Sequence, residues 1–200
     1  MPVDSSDLWD RAAATFDDEP DHGLTDPTVR AAWKALLLSV LPAPPARVAD
    51  LGCGTGTLAR LLTDGGYAVD GVDLSPQMIE RARAKVPEAS FVVADVSSPP
   101  LRAGGYDVVL SRHVLWAMED PGAALAQWVT LLKPGGTVVL VEGHWSTGAG
   151  LTAAQTERFV RLVCDDVQVT ALSDPVYWGR TITDERYLVV ARGVGAPGAR

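Results

Sequence analysis

The stretch VADLGCGTGTLARLL, from Val48 to Leu62, decides the fold. An apolar run ends at Asp50, and glycines follow at every second position as Gly52, Gly54 and Gly56. Glycine lets the backbone turn tightly and approach a ligand without a Cβ clash, and a helix that begins after such a loop offers its first amides to that ligand. The stretch therefore predicts a buried strand, a ligand-binding loop and a helix.

Segments typical of strands and of helices alternate along the rest of the chain. The first five predicted strands are continuous apolar runs, which indicates strands buried on both faces of a parallel sheet. Aspartate or serine directly before proline marks three helix starts. The predicted strands are Arg47–Leu51, Ala68–Val72, Ser90–Ala94, Tyr106–Ser111, Thr137–Glu142, Val167–Leu172 and Arg186–Ala191.

The last two predicted strands differ from the others. Their connection, SDPVYWGRTITDE, leaves no room for a helix, so we expect an antiparallel pair at one edge of the sheet. The predicted fold is α/β: a Rossmann-like, doubly wound sheet of seven strands, mostly parallel, with an N-terminal helical cap. We expect a cap or lid over residues 1–45, a ligand-binding core over 46–192 and a flexible tail over 193–200.

Composition narrows the possible partners. The 200 residues carry a net charge of −8 and no run of Lys or Arg, which argues against a nucleic-acid partner. No apolar stretch approaches the ~20 residues of a membrane span, and the N-terminus has no secretion-signal pattern. Cys53 and Cys164 make no disulfide framework. We expect a cytoplasmic protein that acts on a small molecule, and the sequence gives no oligomeric state.

The glycine loop by itself fits two nucleotide-type ligands. A G-x-G-x-x-A match begins at Gly54, and Asp73 lies where a dinucleotide site places its ribose-binding carboxylate. However, Asp50, Asp73 and Asp95 end the first three strands, and three acids would repel a pyrophosphate. The chain also has no Tyr-x-x-x-Lys pair for hydride chemistry. A nicotinamide enzyme is disfavoured but stays open at this point.

Five blocks, in order, resemble the class I S-adenosylmethionine-dependent methyltransferase family of the small-molecule type. They are VADLGCGTG, VDGVDLSPQMIERAR, FVVADVSSPPL, YDVVLSRHVLWAMEDP and LLKPGGTVVLVE, and the resemblance covers roughly Trp9 to Arg192. It implies a cofactor-binding methyltransferase core with S-adenosylmethionine as the cofactor. The implied reaction is in-line transfer of a methyl group to a small-molecule acceptor.

The resemblance also implies a cofactor site. The glycine loop would line the methionine part, Asp73 would bind the ribose hydroxyls, and Asp95 would accept from the adenine amine. Each residue also has an ordinary structural explanation as a turn glycine, a cap or a packing side chain. The implied cofactor-binding residues are Asp50, Gly52, Gly54, Gly56, Asp73, Leu74, Met78, Asp95, Val96, Arg112 and Trp9.

Histidines and loop aromatics are the candidates for the acceptor side. His22 and His113 are candidate general bases because the ordinary histidine pKa lies near neutrality, although His113 also fits a histidine at a helix entry. The histidines have no metal-type spacing, so no metal site is predicted, although they could converge in space. Aromatic loops favour a planar or apolar acceptor. The predicted acceptor-binding residues are Phe16, Trp116, His144, Trp145, Tyr177 and Trp178.

Two other functions stay open at this point. The same fold can use the cofactor for a cyclisation or an elimination, with no methyl acceptor. The chain could also be a non-catalytic module that binds the cofactor, although the intact glycine loop and strand-end acids argue against that hypothesis.

Overall fold

A computed structural model describes residues 5–194. The strands are β1 Arg47–Leu51, β2 Ala68–Asp73, β3 Ser90–Val93, β4 Tyr106–Arg112, β5 Leu132–His144, β6 Cys164–Ala171 and β7 Glu185–Val194. The helices are α1 Ser5–Ala12, α2 Pro20–Gly23, α3 Pro27–Val40, α4 Thr57–Thr63, α5 Pro76–Lys85, α6 Pro121–Val129 and α7 Ala153–Val160. The seven strands form one sheet in the order β3-β2-β1-β4-β5-β7-β6.

The sheet confirms the predicted fold class. Strands β1 to β5 pair in parallel, and β7 runs antiparallel to both β5 and β6, which places the predicted antiparallel pair at one edge. Strand β5 begins five residues before the predicted start at Thr137. Its first residue, Leu132, pairs with Tyr106 ahead of a register shift, so the KPGG turn lies within the strand.

The helix starts follow the predicted chemistry. Asp26 accepts from the amides of Thr28 and Val29 at α3, and Ser75 accepts from the amide of Met78 at α5. The predicted cap at Asp120 is also confirmed, and Thr152 and Gln155 form a capping box at the start of α7. Each cap satisfies amides that have no partner inside the helix, which fixes where the loops after the strands end.

The two faces of the sheet are covered separately. Alternate residues of β4 serve opposite faces: Val108 and Leu110 pack in the layer that contains Trp33 of α3, whereas Val109 packs in the layer that contains Trp128 of α6. All five side chains are fully buried. A sheet buried on both sides leaves its strand ends as the place where polar groups meet a ligand.

The termini of the chain were predicted to be a cap and a tail. Helix α1 lies against α5, and β7 runs to Val194, two residues into the predicted tail. Residues 195–200 of that tail, like residues 1–4, lie outside the described residues. The predicted domain boundaries stay predictions.

A glycine in β2 gives a test of the packing between neighbouring strands. A Cβ on Gly71 would lie 2.5 Å from Phe91 Cδ1 and 2.9 Å from Cys53 Sγ. We expect Gly71→Ala to lower the free energy of unfolding by about 1–3 kcal/mol in urea denaturation, because the core has no space for the methyl group. Gly122→Ala in α6 is the control, and it should change stability by less than about 1 kcal/mol, because its Cβ would lie 3.3 Å from Asp120 Oδ1 while alanine favours helix. A Gly71→Ala protein as stable as the parent would contradict this packing.

Candidate functional site

A cavity of about 1100 Å³ opens beyond the carboxyl ends of the parallel strands. The N-terminal helices, the glycine loop and the turn after β4 contribute to its wall. The cavity brings together most of the residues predicted to form a site. They are Trp9, Phe16, His22, Asp50, Gly52, Gly54, Asp73, Leu74, Met78, Asp95, Val96, Arg112, His113, Trp116 and Trp145.

Gly52 and Gly54 both have a positive φ, and Gly52 also lies too close to a neighbouring side chain to carry a Cβ. Gly52 has φ +73°, and a Cβ there would lie 2.2 Å from Cγ2 of Val114. Gly54 has φ +53°, and its Cβ would lie 3.4 Å from the Phe16 ring. Only glycine adopts these angles without strain, so the loop lies tightly against the turn after β4 and leaves Gly54 beneath Phe16.

Asp73 holds the loop from the end of β2. Its Oδ2 accepts from the Gly54 amide at 2.8 Å, and its Oδ1 accepts from the Ser75 amide at 2.9 Å. Burial raises the pKa of Asp73, and these amides oppose that rise. The Leu74 amide opposes the rise as well. A carboxylate has about four acceptor sites, so Asp73 keeps capacity for a further donor from a ligand.

Asp50 presents a buried oxygen without a partner. Its side chain lies at the end of β1, and Oδ2 makes no hydrogen bond within residues 5–194. Burial raises its pKa to about 7; Arg112 lowers the pKa and Asp73 raises it further. An unpaired buried acceptor is costly, and a donor from a ligand would relieve that cost. A ligand ammonium group therefore fits this position.

The third strand end is more open. Asp95 is exposed, and its Oδ1 accepts from the Ser97 amide at 2.8 Å, as in a turn cap. Met78 is buried and Leu74 is half-buried beside it along the cavity. The backbone carbonyl of Val96 accepts from Trp128. This side offers a carboxylate next to an apolar surface, which suits a purine with an exocyclic amine.

Arg112 connects the end of β4 to the N-terminal segment. Its Nη1 donates to the backbone carbonyl of Asp21, and its guanidinium lies over the Trp33 ring with 5.2 Å to the centroid. Desolvation lowers the pKa of Arg112, and Asp21 and Asp50 oppose that shift. The side chain is therefore a half-buried link between α2 and the sheet, and it also lines the cavity.

A second link was not predicted from the sequence. Nζ of Lys85 donates to Asp17 at 2.7 Å, to Thr55 at 3.0 Å and to Thr57 at 2.8 Å. The Thr55 hydroxyl also donates to Asp17 at 2.6 Å. This cluster joins the segment around Phe16 to the glycine loop. Thr55 and Thr57 belong to the glycine stretch, but Asp17 and Lys85 lie far from it in sequence, so only the fold shows that the four residues meet.

His22 lies in the N-terminal part of the cavity wall. Its ring stacks on Phe16 with 4.3 Å between centroids. Burial lowers its pKa first, and Arg112 lowers it further, against the opposing effects of Asp21 and Glu19. The imidazole is therefore neutral near pH 7 and has a lone pair available.

His113 lies directly after β4, with one ring nitrogen within 4.8 Å of a ring nitrogen of His22. It has φ +60°, and its backbone is fixed because its amide donates to Val141 and its carbonyl accepts from Trp116 Nε1. Its Nε2 is buried and makes no hydrogen bond within the described residues. Burial, Arg112 and Arg186 all lower its pKa well below the ordinary value.

Tryptophans form the wall next to His113. The Trp145 ring lies edge-on to His113 at 5.2 Å and to Trp116 at 5.4 Å between centroids. The guanidinium of Arg186, on β7, lies 4.9 Å from the centroid of the Trp145 ring. Trp116 and Trp145 therefore give the cavity an aromatic surface, and Arg186 packs against the Trp145 ring.

Four predicted residues lie away from the cavity lining. Trp178 is buried in the core and donates to the Leu172 carbonyl, and Tyr177 accepts from Trp33 through its backbone. His144 lines a separate pocket of about 260 Å³. Gly56 precedes α4 and packs against Ala82.

The cavity also contains charged residues that were not predicted. Some are sequence neighbours of predicted residues, and others lie near the start of β7. In both places the sequence has no pattern that would distinguish them from other charged loop residues. These residues are Glu19, Asp21, Glu119, Arg180, Asp184 and Arg186.

The chain is similar to known methyltransferases. A family model described as a methyltransferase domain matches residues 49–140. Demethylmenaquinone methyltransferase of Renibacterium salmoninarum is 29% identical over 158 residues, which are 76% of this chain and 67% of that protein. A possible histamine N-methyltransferase of Thermotoga maritima has the same fold, with a TM-score of 0.74, 17% identity and coverage of 94% of this chain and 99% of that one.

The fold alone is also shared with the [4+2]-cyclase SpnF, with a TM-score of 0.68, 19% identity and coverage of 82% of each chain. Residues 49–140 are a methyltransferase domain of the class I S-adenosylmethionine-dependent type, and this domain is the S-adenosylmethionine-binding core of the chain. The matched segments span between 35% and 67% of the length of several curated relatives. Within residues 5–194 no helix is long and apolar enough to cross a membrane.

Glu142 supports the turn that carries His113. Its Oε1 accepts from the amides of Val114 at 3.0 Å and Leu115 at 2.8 Å, while Oε2 is buried without a partner in the described chain. Burial raises its pKa to about 8, against the opposing effect of the two amides. The carboxyl group is therefore largely protonated at pH 7.

A pH series tests this assignment. The folded-state pKa of Glu142 lies above the ordinary value of 4.5, so its ionisation destabilises the fold as pH rises through that interval. Between pH 5 and 7.5 we expect Glu142→Gln to gain stability relative to the parent by about 1.4 kcal/mol per pH unit. Chemical denaturation of both proteins at each pH gives this slope. A difference that does not change with pH would contradict a buried, protonated Glu142.

Proposed function

We propose that the protein transfers the methyl group of S-adenosylmethionine to a nucleophilic atom of a small-molecule acceptor. One observation carries the proposal: the strand-end acids and the glycine loop line the same cavity as the aromatic wall and two neutral histidines. A single cavity of about 1100 Å³ exceeds what one drug-sized ligand needs, so it has room for a cofactor and an acceptor together.

The residues at the strand ends fit the cofactor. Asp50 and the Gly52–Gly54 backbone would hold the methionine part, and Asp73 would accept from the ribose hydroxyls. Asp95 and the apolar surface at Met78 would hold the adenine. When bound, the cofactor supplies an activated methyl group on a positively charged sulfur.

The N-terminal segment would exclude water from the reacting groups. The rings of Trp9 and Phe16 lie edge-on to one another with 6.5 Å between their centroids, and Phe16 covers Gly54. Aromatic faces attract cations, which suits a sulfonium. Holding two reactants in line can lower a barrier by about 7–11 kcal/mol, so positioning is the main contribution of the protein.

The acceptor would lie against the wall formed by Trp116 and Trp145. This surface favours a planar or apolar molecule with one nucleophilic atom facing His22 and His113. The acidic protein, with a net charge of −8, supports a small acceptor rather than a nucleic acid. The cytoplasmic location stays a prediction from the sequence.

Calorimetry and product analysis test this function. The parent protein should bind S-adenosylmethionine and its demethylated form and should not bind NAD, because strand-end acids repel a pyrophosphate. Mass spectrometry with a panel of planar acceptors should find products heavier by one methylene group. Binding of NAD with no binding of the adenosyl ligands would overturn the proposal.

A second candidate uses the same cofactor site without a methyl acceptor. The fold shared with a [4+2]-cyclase indicates that the architecture also supports other chemistry. Conversion of the cofactor itself when no acceptor is added would favour this candidate over methyl transfer.

The histidines provide a separate test of the acceptor side. We expect the His22→Ala/His113→Ala protein to lose at least about 100-fold in turnover, because both imidazoles handle the acceptor proton. Its affinity for the cofactor should change by only a few-fold. His144→Ala is the matched control, because His144 lines the other pocket. Normal turnover of the double variant would show that neither histidine has this role.

A further inference from the structure

Three side chains of kinds that bind metal ions lie close together inside the cavity. Asp21 and His22 come from α2, and His113 follows β4. One carboxylate oxygen and one nitrogen from each imidazole all lie within 4.8 Å of one another. We infer that Asp21, His22 and His113 form a binding site for a divalent transition-metal ion of the zinc class.

The distances require only a small contraction. Nε2 of His22 lies 3.7 Å from Oδ2 of Asp21. An ion about 2.0–2.2 Å from each ligand atom brings those atoms to roughly 3–4 Å from one another. The buried Nε2 of His113 makes no hydrogen bond within residues 5–194, and buried polar atoms rarely lack a partner. A metal ion would provide that partner.

The surroundings fix the orientation of the ligands. The His22 ring is stacked on Phe16, and the His113 ring lies 6.1 Å from the Trp178 ring at an interplanar angle of 17°. The Asp21 backbone is tied to β4 through Arg112. Groups that orient ligands in this way commonly set metal affinity.

Nearby charges narrow the class of ion. Arg112 and Arg186 face the histidines and oppose a cation, whereas Asp21 and Glu19 act in the opposite direction at His22. The ligand set is two imidazoles and one carboxylate. Such a set selects Zn²⁺, Co²⁺ or Fe²⁺ over Mg²⁺, which prefers an all-oxygen shell.

The role of the ion rests on the proposed function, although its binding does not. Three protein ligands leave coordination positions open, and the cavity gives an acceptor access to them. An acceptor hydroxyl bound there would have a lowered pKa and would release its proton to solvent before methylation. A metal ion and a proton compete for the same lone pairs, so the ion would replace direct proton transfer to His22 or His113.

The sequence predicts no metal site. That expectation used spacing along the chain, and 90 residues separate His22 from His113. The fold brings them together because α2 lies over the carboxyl end of β4.

A cobalt titration tests the site directly. Untagged protein, freed of metal with a chelator, is titrated with Co²⁺, and the visible absorption is recorded. We expect one equivalent to bind with ligand-field bands, and Zn²⁺ to displace it. Asp21→Asn, His22→Ala and His113→Ala should each weaken Co²⁺ binding at least tenfold, and Mg²⁺ should not compete.

Two controls keep the result interpretable. His144→Ala should bind Co²⁺ as the parent does, and the half-exposed His22 provides a variant that is expected to fold even if His113→Ala does not. Calorimetry of the metal-free parent with the demethylated cofactor reports on the cofactor site independently. Absence of Co²⁺ binding, or equal loss in His144→Ala and His22→Ala, would overturn the metal site and leave the proposed function standing.

Discussion

The interaction on which the structure most depends is the burial of carboxylates at the ends of parallel strands. Asp50 and Asp73 lie where neighbouring strands meet the glycine loop, and burial raises the pKa of both. Asp73 recovers part of the cost of burial through the amides of Gly54 and Ser75, whereas one oxygen of Asp50 has no hydrogen-bond partner within residues 5–194. A fold that places an unsatisfied acceptor at the base of a cavity is prepared for a ligand that donates hydrogen bonds.

The N-terminal segment turns this open sheet edge into a cavity. Arg112 holds α2 from the sheet side, and the cluster around Lys85 holds the segment near Phe16 from the helix side. Both links are partly buried, so each contributes more to the stability of the fold than an exposed ion pair would. The same segment brings Asp21 and His22 opposite His113. Cofactor binding and acceptor chemistry thus depend on one short piece of chain.

The sequence predicts the sheet and the cofactor side well because both depend on local patterns. Apolar runs, caps such as Ser75 and the glycine loop each carry their own signal within a few residues. The acceptor side is less predictable. Trp178 is an aromatic residue of the kind predicted to line the pocket, yet the fold buries it behind His113. His144 lies in a separate pocket. Arg186 and Asp21 have no motif, because they reach the cavity only through long-range topology.

Calorimetry of the demethylated cofactor with strand-end variants tests the central claim most directly. If Asp73 accepts from the ribose, Asp73→Ala should lose about 1.5–3 kcal/mol of binding energy, which is roughly a 10–100-fold loss in affinity. Asp95→Ala should lose less, because its carboxylate is exposed. Asp107→Ala, at the opposite end of β4, should bind as the parent does. Undiminished affinity in folded Asp73→Ala and Asp95→Ala proteins would contradict the account.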